Sequence, residues 1–210
     1  MITKGDQTRA LSLSTFAFTV CFAIWTIFSI LGMQIKQELN LSDTQFGILV
    51  ATPILTGALS RLILGIWTDQ YGGRIVMTLT MVLSAISTYL LSSVETYKMF
   101  LVAALGVGLA GGTFAVGITY VSAWYEKEKQ GTVLGIFGVG NVGAALTNFG
   151  APFILLALGW QGLAKTYAII IFVSAILFYL FAKDDPKFIA RKTKKEKPRS
   201  ILQQIEPLKK

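Results

Sequence analysis

The sequence predicts an all-α integral membrane protein built as a six-helix bundle. Two observations predict it. Mean hydropathy is +0.62 and only 14% of the 210 residues are charged, too few to cover the surface of a soluble domain. The charges are also clustered. Arg9 and Lys36, Arg74 and Glu95, Lys98 and Glu126, and Lys129 and Lys165 each bracket an uncharged stretch, and about 20 apolar residues suffice to cross the hydrocarbon core.

Six spans follow, at residues 11–33, 45–67, 75–94, 99–124, 132–157 and 166–182, with a basic cytoplasmic linker or tail over 183–210. The first span is too long for a cleavable signal peptide and no small-residue cleavage site follows it, so a permanent helix is expected. Its Cys21 is the single cysteine, which leaves no intrachain disulfide. Ser42 and Gln45 have capping-box spacing and should open the second span. Gly72-Gly73 supplies the tight turn before the third. Glu126 to Lys129 supplies the turn after the fourth. Gly159-Trp160-Gln161-Gly162 supplies the turn after the fifth, where a Trp suits the interface. Beyond Lys183 the run Arg191 to Arg199 reads as a solvated linker, and residues 200–205 as a short helix suited to lie on the membrane.

The basic residues orient the bundle. Lys4, Arg9, Arg74, Lys127, Lys129 and the basic tail fall on one side; only Lys36, Lys98 and Lys165 fall on the other. The positive-inside rule then places both termini in the cytoplasm. The net charge of +8 follows from that topology and from a tail near anionic membrane lipid, so it requires no nucleic-acid partner. There is no histidine, which removes the commonest metal ligand and catalytic base. With no catalytic constellation visible, no enzyme, metal site or cofactor is expected.

Inside the spans, Arg61 is the sharpest feature. It lies roughly 7.5 Å to the cytoplasmic side of the centre of the second span at 1.5 Å rise per residue. An intramembrane arginine costs about 2.5–3.5 kcal/mol on insertion scales, so it usually faces a cavity or a partner. One reading is snorkelling to the inner interface. The other is an anion site, because no Asp, Glu or His lies within the six spans and a guanidinium fork suits planar or tetrahedral oxyanions. Asn141 and Asn148 are seven residues apart on one helix face, with Thr147 beside them. Each can serve a polar site or an interhelical hydrogen bond; for Asn148 the interhelical bond is expected. Thr15, Thr19, Thr26 and Ser29, with Thr52, Thr56 and Ser60, either line a wet cavity or bond back to their own helices. Gly106-x-Gly108-x-x-Gly111 and Gly138-x-Gly140-x-x-Gly143 match a dinucleotide pattern, but no strand or βαβ unit accompanies them. Together with Gly112, and with Gly131/Gly135, they predict close helix packing.

Gly65-x-x-x-Asp69-x-x-Gly72-Gly73-Arg74 resembles the cytoplasmic signature of the major facilitator superfamily, and six helices match one half of that transporter fold. Gly108-Leu-Ala-Gly-Gly-Thr-Phe-Ala, Lys129-Gln130-Gly131 and Gly138-Val-Gly-Asn-Val-Gly143 resemble the nitrate-signature region of its nitrate/nitrite porter family. The stretch 18–29 of the first span is also similar. The resemblance implies that Arg61 and Asn141 bind nitrate or nitrite, that Phe114 packs against the anion, and that Gly65, Asp69, Gly72, Gly73 and Arg74 stabilise one conformation. It implies a partner C-terminal six-helix half carrying a second arginine, and a bacterial inner membrane. Some members carry a lysine where Asn148 stands here. Other readings are a facilitator for another small anion, a half-transporter that pairs with another half, and a non-transporting membrane interaction protein. Proton symport and nitrate/nitrite exchange both remain open.

Overall fold

The computed structural model describes residues 3–194; the helix expected at 200–205 lies outside them. Its helices are α1 (Lys4–Trp25), α2 (Phe28–Glu38), α3 (Asp43–Tyr71), α4 (Gly73–Leu91), α5 (Tyr97–Ser122), α6 (Lys127–Gly138), α7 (Val142–Phe181) and α8 (Pro186–Lys194), with a 3-10 turn at Val139–Asn141. Five helical stretches among the described residues are long and apolar enough to cross a membrane; Lys4–Glu38 and Lys127–Phe181 each join several of these elements.

The long stretch makes two passes. Gly159 stands at φ 68 inside α7, a left-handed conformation that glycine adopts without a Cβ clash. The Tyr167 hydroxyl donates to Thr147 Oγ1 at 3.2 Å. Twenty residues along a straight helix would separate these residues by about 30 Å, so the chain must fold back at Gly159. Trp160 opens the returning arm. Six passes result, and all are helical because no water is present in hydrocarbon to satisfy a free backbone.

Helix ends follow local chemistry. Ser42 and Gln45 form the reciprocal capping box at the start of α3. Gly72, at φ 86, turns α3 into α4. The fourth connection is tighter than the sequence suggests: Glu126 precedes α6 and Lys127 is already helical. The expected linker also begins differently, because Pro186–Lys194 is helical and Asp185 is only 5% exposed.

The core forms where α3 packs on α5, α4 on α5 and α7, and α1 on α5 and α7. Glycine permits the α3–α5 approach. A Cβ at Gly108 would lie 2.7 Å from Thr56 Cβ, and one at Gly112 2.5 Å from Ser60 Oγ. Gly140 and Gly143 face α1 in the same way, against Phe18 and the Thr19 backbone. Gly138 departs from the packing expectation, as do Gly131 and Gly135: a Cβ at any of them would meet nothing within 4 Å. Their side of the helix is open.

Large apolar side chains cover the exterior instead of charges, with Leu62, Phe149 and Leu156 exposed by 71%, 78% and 87%. The ion pairs among the described residues, such as Lys36–Asp43 and Lys183–Asp6, involve residues near the bundle ends.

Candidate functional site

Arg61 lies four residues past the midpoint of α3, about 6 Å along its axis. Helical side chains lean toward their helix N-terminus, which here points Arg61 back into the bundle. Its Nε donates to the Gly111 carbonyl of α5 at 3.2 Å. Its guanidinium carbon lies 5.5 Å from the Trp25 ring and 5.4 Å from the Phe114 ring. These contacts are lateral, and snorkelling does not account for them. None of the ion pairs among the described residues involves Arg61, and Nε is the atom that bonds to protein. The two Nη groups remain as a donor fork on a positively charged, half-buried group.

Four helices build this environment, with Trp25, Phe18 and Phe22 from α1, Arg61 from α3, Phe114 from α5 and Phe137 from α6. Phe114 also contacts Phe18 at 5.4 Å and Phe137 at 6.0 Å, and Phe18 stacks on Phe137 at 4.9 Å. Phe22 joins Trp25 at 5.2 Å. Aromatic rings offer the negative face of their quadrupole to a cation, so the cluster holds the charge without neutralising it.

The structure brings Arg61 and Phe114 together. Asn141 lies further along: it is exposed and its Nδ2 donates to Gly138 O at 2.8 Å. Its neighbour Gly140 packs on Phe18, the ring that touches Phe114. The 3-10 turn at Val139–Asn141 also shifts its helical phase relative to Asn148. Asn148 Oδ1 lies 3.4 Å from Ser29 Oγ on another helix, a long interhelical contact that shares the single Ser29 proton with the shorter bond to Thr26 O. The hydroxyl stripes bond back to their own helices: Thr15, Thr19, Thr26, Ser29, Thr52, Thr56 and Ser60 each donate to a carbonyl three or four residues earlier.

The signature turn forms a second locus. Gly65 faces Ala115, with a Cβ position 3.9 Å from that methyl. Asp69 is exposed near the end of α3. Arg74 donates from Nε and Nη2 to Tyr179 O at 3.0 and 2.8 Å, lies over the Tyr179 ring at 4.6 Å, and has Nη1 3.8 Å from Asp184. Gly73 N donates to Asp185 Oδ2 at 3.2 Å, and Phe188 N donates to Asp185 Oδ1 at 2.8 Å. One buried carboxylate thus caps both α4 and α8.

Trp25 and Asp185 do not stand out by composition or spacing, yet each has a local signal. An indole N–H in mid-span must find an acceptor. Asp185 directly before Pro186 has the N-cap and first-turn proline pattern of a helix start.

The fold and the site together define a helical membrane bundle that holds an arginine among aromatic rings inside one of its spans. A profile of the Major Facilitator Superfamily matches residues 13–210, and the chain belongs to that family. It is 40% identical over 188 residues to a Thermus thermophilus protein named "Probable nitrate/nitrite antiporter NarK1", covering 84% of this chain and 42% of that protein. It is 33% identical over 171 residues to the "Nitrite extrusion protein" of Bacillus subtilis, covering 81% and 43%. A bacterial homologue of the human lysosomal transporter Spinster, solved inward-facing and unoccupied, superposes with a TM-score of 0.74 at 17% identity, covering 88% of this chain and 45% of that one; this similarity shows the fold alone. The chain spans about half the length of the curated relatives it matches.

Proposed function

We propose that this bundle is the N-terminal half of a nitrate/nitrite transporter, working by alternating access with a second six-helix half in a bacterial inner membrane. The observation that carries this reading is the donor fork of Arg61, held among aromatic rings in a span with no carboxylate paired to it. The names of the relatives support the choice of anion. Arg61 Nη groups donate to two oxygens of the planar anion. Phe114 packs against it, Asn141 adds a polar group as the halves close, and the second half supplies a further cation. Gly65, Asp69, Gly72, Gly73 and Arg74 stabilise one of the two conformations. No chemical bond changes, so the activity is transport and not catalysis.

Arg61→Ala in the assembled transporter tests this. Nitrate uptake into proteoliposomes is expected to be lost while membrane insertion stays intact. Uptake at the wild-type rate would remove Arg61 from the site. Competition by nitrite, and by other small anions such as chlorate and formate, separates this reading from a facilitator of another substrate.

A further inference from the structure

We propose that Trp25 is a positioning residue for Arg61, and that with Phe114 it restricts the site to weakly hydrated monovalent anions. The proposal rests on the reading of Arg61 as the anion-binding group.

Trp25 is the last residue of α1. Its Nε1 donates to the Pro53 carbonyl of α3 at 2.8 Å. The slot that receives the indole is lined by glycine on two helices. A Cβ at Gly57 of α3 would lie 2.7 Å from Trp25 Nε1, and a Cβ at Gly111 of α5 would lie 2.6 Å from Trp25 Cε2. The ring is therefore fixed by one hydrogen bond and by two backbones that carry no side chain against it. Gly111 serves twice, because its carbonyl also accepts from Arg61 Nε.

The consequence falls on Arg61. With Nε engaged and two rings within 5.5 Å of the guanidinium carbon, the remaining donors are the two Nη groups. Aromatic surface keeps water from part of the guanidinium. An anion that docks there must shed part of its own hydration, since buried charge loses its solvation. A singly charged, charge-diffuse oxyanion such as nitrate does this at low cost. Sulfate and hydrogen phosphate, with two charges, do not.

The test uses the assembled transporter in proteoliposomes, with labelled nitrate as substrate and sulfate as competitor. Trp25→Leu removes both the ring and its anchor. Nitrate KM is expected to rise roughly three- to thirtyfold, the range of a desolvated cation–π contact, and sulfate is expected to compete more strongly than against wild type. Trp25→Phe keeps a ring but loses the bond to Pro53; its KM is expected to rise roughly two- to tenfold, with less change in sulfate competition. A purely structural role would lower protein yield and maximal rate and leave KM and competition unmoved, which overturns the proposal. Should Trp25→Leu not insert, Trp25→Phe decides alone, and an unchanged KM overturns the anchoring role. Wild-type KM in either inserted variant, alongside lost uptake in Arg61→Ala, sinks the Trp25 proposal only. Retained uptake in Arg61→Ala sinks the anion-site reading beneath it.

Discussion

An arginine in hydrocarbon must be held by something other than water, and Arg61 is held by a carbonyl and two rings. Gly111 makes that arrangement possible because it is the point where α3, α5 and the Trp25 indole converge. Gly111→Ala places a methyl 2.6 Å from Trp25 Cε2, well inside van der Waals contact. The Gly57 backbone also lies against this edge of the indole, a Cβ there meeting Nε1 at 2.7 Å, and Nε1 is bonded to Pro53 O, so the ring has little room to yield. Overpacking of this kind costs about 1–3 kcal/mol. The expected outcome is a lower unfolding temperature in detergent together with a raised nitrate KM, read from a thermal melt and an uptake assay on the same preparation. A change in neither would mean that the slot is looser than its geometry. Arg61 itself is legible in the sequence because a charge inside a span stands out against apolar neighbours. Trp25 is not, because one more aromatic in a membrane helix looks like packing; only the location of its N–H acceptor distinguishes it.

At the scale of elements, the start of the third pass and the end of the sixth are tied together by the segment after Phe181. Asp185 accepts from Gly73 N and Phe188 N; the Tyr120 hydroxyl donates to Lys183 O at 2.7 Å; Lys183 Nζ donates to Asp6 at 2.9 Å. The Phe188 ring also sits beside Gly72, 3.0 Å from a Cβ position there. Asp185→Ala would leave the Gly73 N–H buried without its acceptor and uncap α8. Each unmet buried donor costs about 1–3 kcal/mol, and a lost N-cap about 1 kcal/mol. A clear drop in unfolding temperature is expected, with Asp185→Asn recovering part of it because its side-chain oxygen can still accept. An unshifted melt in Asp185→Ala would show that the segment hangs free. The sequence made the long helices readable because length and hydropathy suffice for them. It hid this segment because its charged composition looks like a linker, while the burial of Asp185 depends on a backbone N–H more than a hundred residues away. The glycine runs were half readable. Gly108, Gly111, Gly112, Gly140 and Gly143 meet neighbouring helices, but Gly138 does not, and spacing alone cannot say which side of a helix is covered.

For the molecule as a whole, orientation follows from charge placement, and the chain offers a direct way to measure it. Lys127 and Lys129 lie at one end with the Asp6–Lys183 pair, while Lys36 and Lys98 lie at the other. The basic excess at the first end predicts a cytoplasmic location for it by the positive-inside rule. Cys21 is the only cysteine in the sequence and is buried, so Cys21→Ser gives a background without thiols. Lys98 is exposed near the start of α5 and Lys127 is exposed at the start of α6, on opposite ends of the intervening pass, and α5 with 26 residues spans about 39 Å at 1.5 Å per residue. That exceeds the hydrocarbon core of about 30 Å, so the two positions must lie in different aqueous compartments if α5 crosses the bilayer. Lys98→Cys in whole spheroplasts is expected to react with an impermeant maleimide, and Lys127→Cys to react only after lysis. The reverse pattern would invert the bundle. Labelling of both sites from outside would deny that α5 crosses the membrane, and with it the placement of Arg61 inside.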